Sequence, residues 1–207
     1  MKRANFIQIG NTCGFYSLVY CINSLIPLDH PEKILAEIVQ NSIDSDESYV
    51  GEAFDIEYLV RIAEKYFSDI VHVSVCQINS EADIFTYLCG ARLLFPINSK
   101  SVPHYVSLLG LENGKILACN GGKLCSFSSK WLYKKNKETP TFYNWRKFRT
   151  YSKLDFLIAR RLFKLSLDEY EQFIADNARN RNMRKVLHKL GKAPTNMRGL
   201  CIQIKAL

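Results

Sequence analysis

The feature that most limits what this chain can become is a change of hydrophobic period near residue 70. Before it, apolar residues recur at helical spacing. Leu18, Cys21, Ile22 and Leu25 follow the cap-forming pair Asn11 and Thr12, which predicts a helix over Cys13–Leu25. Asp29 and Pro31 open a second, to about Gln40. Phe54, Tyr58, Ile62, Ala63 and Tyr66 form the stripe of a third, over Phe54–Phe67. After residue 70 the pattern alternates. Ile70–Cys76 reads as a strand, Glu81–Cys89 as a short helix closed by Gly90, and Arg92–Ile97 and His104–Leu111 as further strands. Asn113-Gly114 marks a tight hairpin returning through Lys115–Cys119. Helices first and an antiparallel sheet after is the order of an α+β fold.

Charge divides the chain a second way. Residues 1–144 carry 13 Lys and Arg against 15 Asp and Glu, net −2, whereas residues 145–207 carry 15 against 5, net +10. Polar, basic residues at Lys134–Lys137 look like a domain edge. The expected division is a near-neutral body over 1–144, the part that carries the residues singled out below, and a basic helical C-terminal extension over 145–207. Ser166-Leu-Asp-Glu169 is a capping-box pattern opening a helix through Asn177, with Leu167, Tyr170, Phe173 and Ile174 on its apolar face. Such an extension can dock on the body and present Arg179, Arg181, Arg184, Lys185 and Lys189 to an acidic protein or an anionic membrane surface. It can equally pair with the acidic stretch Asp29–Asp69, where 11 carboxylates face three basic residues.

Composition excludes several classes. At 47% hydrophobic the chain can build a core and is not a disordered polypeptide. It has no run of about 20 apolar residues, and its start, MKRANFIQIGNTCG, lacks the core of a cleaved signal peptide. A cytoplasmic protein, or one exported without such a peptide, is expected. Seven cysteines without a CxxC pair read as free thiols rather than a disulfide framework or zinc site. His30, His72 and His188 lack partners at metal spacing, and Cys21, Cys119 and Cys125 read as packing residues, so no metal or cofactor is expected. Aromatic residues lie among Lys and Arg from Trp131 to Phe148, but this reads as amphipathic packing, and nucleic acid is not the expected partner.

Chemistry concentrates in three places: Gln8 with Cys13-Gly14, Pro103-His104, and Asn120-Gly121-Gly122. Cys13 falls at a predicted helix start, where the helix field stabilises a thiolate. Gly14 is expected to leave room beside it for a substrate backbone. The Gln8 amide and the Cys13 backbone N–H can form an oxyanion hole. His104 on a strand can serve as a rigid base, and Asn120, at the far end of the partner strand, can orient its ring. Singly, each has an ordinary structural reading; in this order they make one acyl-transfer site.

QIGNTCGFYSL resembles the active-site segment of papain-like cysteine peptidases, where Gln precedes a Cys-Gly pair opening the central helix. PHYVSLLGLENGKILACNGG is similar to the bacteriocin-leader (double-glycine) peptidase branch, whose relatives include bacterial effector proteases. The resemblance covers roughly residues 5–128. It implies a papain-like fold with Cys13 as nucleophile, His104 as base, Asn120 as orienting residue and Gln8 in the oxyanion hole. The Asp-Pro frequent at the third position of that branch is Asn120-Gly121 here.

The resulting expectation is a cysteine peptidase acting on a protein or peptide through an acyl-enzyme. The same parts serve a glutamine deamidase or a transglutaminase-like acyl transferase. A non-enzymatic basic binding module, with Cys13 merely structural, is the third reading.

Overall fold

The computed structural model of the protein describes residues 6, 8, 12–45, 47–48, 52–53, 55–144 and 192–207. The helix expected over Ser166–Asn177 and its basic face lie outside them. Among the described residues no helix is long and apolar enough to cross a membrane.

The architecture mixes helices with an antiparallel sheet. Helices α1 (Cys13–Leu25), α2 (Pro31–Asp44) and α3 (Ile56–Phe67) come first. Strand β1 (Val71–Gln77), helix α4 (Glu81–Leu88), and strands β2 (Arg92–Ser99), β3 (Val102–Glu112), β4 (Lys115–Asn120) and β5 (Lys123–Phe127) follow. Helix α5 (Ser129–Lys137) precedes the short strands β6 (Phe142–Asn144) and β7 (Lys192–Pro194), and β8 (Leu200–Ala206) comes last. The main sheet runs β1-β8-β2-β3-β4-β5, every neighbour antiparallel.

Alternation along the strands sorts side chains into two cores. Leu94, Tyr105, Cys119, Ile202 and Ile204 pack with α1, α2 and α3, whereas Leu93, Phe95, Val106, Leu108 and Cys201 pack with α4 and α5. Strand β2 is therefore buried on both faces, which explains its unbroken apolar run Leu-Leu-Phe-Pro-Ile. Pro96 is tolerated there because β2 pairs with β8 only at Arg92–Leu94. Beyond that point the strands separate, and the buried Asn136 amide of α5 donates to both the Pro96 carbonyl (2.9 Å) and the Leu200 carbonyl (3.0 Å).

Helix α1 is buried almost all round, its inward residues running from Gly14 to Ile22. Serines tie it to β3: Ser17 Oγ donates to the Tyr105 carbonyl (3.2 Å) and Ser107 Oγ to the Ser17 carbonyl (3.1 Å). At its other end Arg92 reaches Ser24, Nε to Oγ at 3.0 Å and Nη2 to the carbonyl at 3.3 Å. This places a cation where the helix presents its negative pole.

Several sequence expectations need correction. Thr12 takes the N-cap position of α1, but its side chain makes no capping hydrogen bond to the helix. Helix α3 begins at Ile56 rather than Phe54, because the Asp55 carboxylate caps it by accepting from Glu57 N (2.8 Å). Lys134–Lys137 is no domain edge: these residues close α5, which Ser128 caps and whose Leu132 and Asn136 are buried. The division at 144/145 fails for the chain's last segment. Residues 192–194 and 200–206 are strands, not helix, and β8 sits between β1 and β2, where Ile202 and Ile204 complete the first core.

A chain truncated after Asn144 therefore loses a strand from inside its sheet. It is expected to show no cooperative thermal transition by circular dichroism, where the full chain shows one. A truncated chain melting like the full one would mean that β8 is dispensable.

Candidate active site

Cys13 is the first residue of α1, so its thiol sits where the unpaired N–H groups of the first turn favour negative charge. His104 is held in β3, and Asn120 ends β4 just before the Gly121-Gly122 turn into β5. Both turn glycines have positive φ, +58° and +94°, and Asn120 pairs directly with Lys123 across the turn. The ladder pairs Ser107 with Cys119, which brings Asn120, the next residue of β4, toward the start of β3 that carries His104. The two side chains meet there: His104 Nε2 and Asn120 Oδ1 are 2.7 Å apart. An amide oxygen only accepts, so Nε2 carries the hydrogen and Nδ1 is left for Cys13.

The thiol and the ring are coupled. Burial pushes the Cys13 thiol up, but the charge of His104, a hydrogen bond with its ring and backbone hydrogen bonds at Tyr105 and Gly14 outweigh it, and the net shift is down. Burial pushes His104 down, but the Cys13 charge and the hydrogen bonds with Cys13 and Asn120 carry it up. Opposite shifts in contacting groups favour a thiolate–imidazolium pair. Other thiols behave differently. Burial pushes Cys21 up to about 12, and it raises Cys119 and Cys125 as well.

Gln8 arrives from the N-terminal side. Phe6 anchors that segment between Tyr16 and Tyr20, with ring centroids 5.1 and 5.6 Å away, and its carbonyl accepts from the Tyr16 hydroxyl (2.9 Å). The Gln8 side chain then lies beside the turn after Asn120: a Cβ on Gly121 would stand 3.4 Å from Gln8 Oε1.

Gly14 does not do what sequence reasoning assigns to it. The space expected for substrate is filled by protein. A Cβ at Gly14 would lie 2.7 Å from Ala53 Cβ, 3.3 Å from Tyr105 Cδ2 and 3.4 Å from Leu59 Cδ1. The glycine lets α1 approach β3 and the segment entering α3, so its missing side chain is accounted for by packing.

Two tyrosines near the thiol were not singled out from sequence. Tyr105 is 1% exposed, and its hydroxyl has no hydrogen-bond partner among the described residues. Burial first, then the charges of Cys13 and Asp55, hold it firmly protonated. Tyr143 is likewise kept protonated by burial and by Glu52 and Cys13. No local pattern marked either of them as lying near Cys13. Among the described residues no group of three or more His, Cys, Asp or Glu could hold a metal ion.

No protein-family model matches the chain, and no curated protein matches it in sequence. Among solved structures, the peptidase domain of Streptococcus ComA, a bi-functional ABC transporter involved in a quorum-sensing pathway, is similar at TM-score 0.46. The identity is 16%, over 65% of this chain and 90% of that one.

Two measurements test this geometry. Gly14→Ala is expected to cost about 1–3 kcal/mol in urea unfolding through overpacking, with Ala53→Gly recovering part of the loss; an unchanged midpoint would mean the contact relaxes freely. The Cys13 thiolate is lost as pH falls through its lowered pKa, and the imidazolium as pH rises through the raised pKa of His104. Iodoacetamide should therefore label Cys13 at lower pH than an ordinary thiol. In His104→Ala, where only burial is left to oppose the backbone hydrogen bonds, labelling should move to higher pH. Superimposable profiles would show the two groups to be uncoupled.

Proposed function

We propose that the protein is a cysteine peptidase that cleaves a peptide bond through Cys13, His104 and Asn120. The observation that carries this reading is the 2.7 Å contact between His104 Nε2 and Asn120 Oδ1, joined to the opposite shifts by which the Cys13 thiol is lowered and the His104 ring raised. The Cys13 thiolate attacks the scissile carbonyl carbon. The resulting oxyanion accepts hydrogen bonds from the Cys13 backbone N–H and the Gln8 side-chain amide. His104, protonated in the resting pair, gives its proton to the leaving amine as the tetrahedral intermediate collapses to an acyl-enzyme. Water then attacks the thioester with neutral His104 as base, which releases the acid and restores the Cys13 thiolate beside protonated His104. Asn120 holds the ring so that Nδ1 faces sulfur throughout; it contributes orientation and takes no proton.

A comparison of cellular proteins after expression of the wild type and of Cys13→Ala tests the reaction. New protein N-termini are expected with the wild type alone. Deamidated glutamines without new N-termini would assign the site to side-chain amides and overturn the peptidase reading. On a cleaved peptide, Cys13→Ala should reduce turnover to background. Gln8→Ala should lower it about 10²–10³-fold while Cys13 still alkylates, and Asn120→Ala should cost less than His104→Ala.

A further inference from the structure

The strand that corrects the domain division brings with it a second pair of sulfurs. Cys76 in β1 and Cys201 in β8 are direct register partners. Opposite residues of an antiparallel ladder have Cα atoms about 4.5–5.5 Å apart and side chains on one face. That separation lies inside the range of about 4.4–6.8 Å which a disulfide bridges. Each thiol shifts the other's ionisation, and neither is in a disulfide. Their environments differ. Cys201 is fully buried in the core beneath α4 and α5, while Cys76, on the edge strand, is half-buried and open to solvent on one side.

We propose that Cys76 and Cys201 form a thiol-oxidation site that takes a low-molecular-weight disulfide and converts it to a cross-strand disulfide clamping β8 onto β1. Cys76 is the attacking sulfur, because it is the one a small molecule reaches. Cys201, helped by Ser74, Lys205 and the Gln203 backbone, holds the Cys76 thiol at about 6 although burial pushes it up, so it is largely ionised at neutral pH. Its thiolate attacks one sulfur of the small disulfide, breaking that S–S bond and expelling one small thiolate. The departing thiolate takes up the Cys201 proton. Cys201 then attacks the Cys76 sulfur of the mixed disulfide and expels the second small thiolate, which is protonated by water. The protein dithiol loses two electrons and two protons, and the small disulfide is reduced to two thiols. The site stands apart from Cys13 and rests on no reading of the protein's activity.

Full-length protein carrying Cys13→Ala, to silence the other activated thiol, is equilibrated with mixtures of oxidised and reduced glutathione and analysed by intact mass and peptide mapping. The expected product has lost two hydrogens, bears no glutathione, and maps to a Cys76–Cys201 link that dithiothreitol reverses. Its thermal midpoint should rise by roughly 5–10 °C over the reduced form, and Cys76→Ser should abolish both changes. A lasting glutathione adduct on Cys76 with Cys201 still free, a link mapped to another cysteine, or no oxidation in excess oxidised glutathione would each overturn the proposal. Because the mass is read on protein with both cysteines present, the outcome does not depend on how well Cys76→Ser folds.

Discussion

The contact between α1 and β3 is the one on which the rest of this structure depends. A helix buried almost all round cannot settle against a sheet unless its backbone comes close at one point, and Gly14 provides that point against Tyr105 and Ala53. Two serine hydroxyls fix the seam by bonding across it to main-chain carbonyls, and Arg92 holds the far end. With the axis fixed, the first residue of the helix is set beside His104, the third residue of β3. The position of the Cys13 sulfur is thus a result of packing well away from it.

Electrostatics then separates this thiol from others in the same core. Cys13 and Cys21 share one helix, and both are drawn toward the neutral form by burial. Cys21 is pushed up to about 12 because its hydrogen bond with Ser107 and the charge of Arg92 do not offset burial. Cys13 meets an imidazole that can become a cation, and that outweighs burial. The buried tyrosines beside it, Tyr105 and Tyr143, stay protonated and add no competing charge.

Much of this was legible in sequence wherever a local signal and the tertiary fold agree. The run from Cys13 to Leu25 has helical spacing and is α1 to the residue, and Asn113-Gly114 makes the hairpin, with φ of +52° and +71°. The order Gln8, Cys13, His104, Asn120 was visible because Cys13, His104 and Asn120 fall at or near the ends of elements that the pattern marks, and Gln8 lies five residues before Cys13. What escaped depended on partners distant in sequence. Leu-Cys-Ile-Gln-Ile-Lys-Ala alternates like a strand, but nothing local says that it belongs between β1 and β2. Helix α5 was hidden by its lysines, since only Leu132 and Asn136, one turn apart, face inward. Gly14 misled because a missing side chain looks the same in sequence whether the space is left for a substrate or taken by a neighbour.

The interior place of β8 also sets a schedule for the chain. Of the strands described, it is the last to be synthesised, and until it arrives β1 and β2 have no ladder between them. The helices and the β2–β5 meander can therefore form before β8 is made, but the sheet closes only once translation has passed residue 206. Closing it is a pairing between distant parts of the sequence, which makes for slow folding. Cys13 is made long before the strand that completes the sheet against which its helix packs. A nascent chain would thus carry Cys13 without a completed fold around it until β8 has paired with β1 and β2.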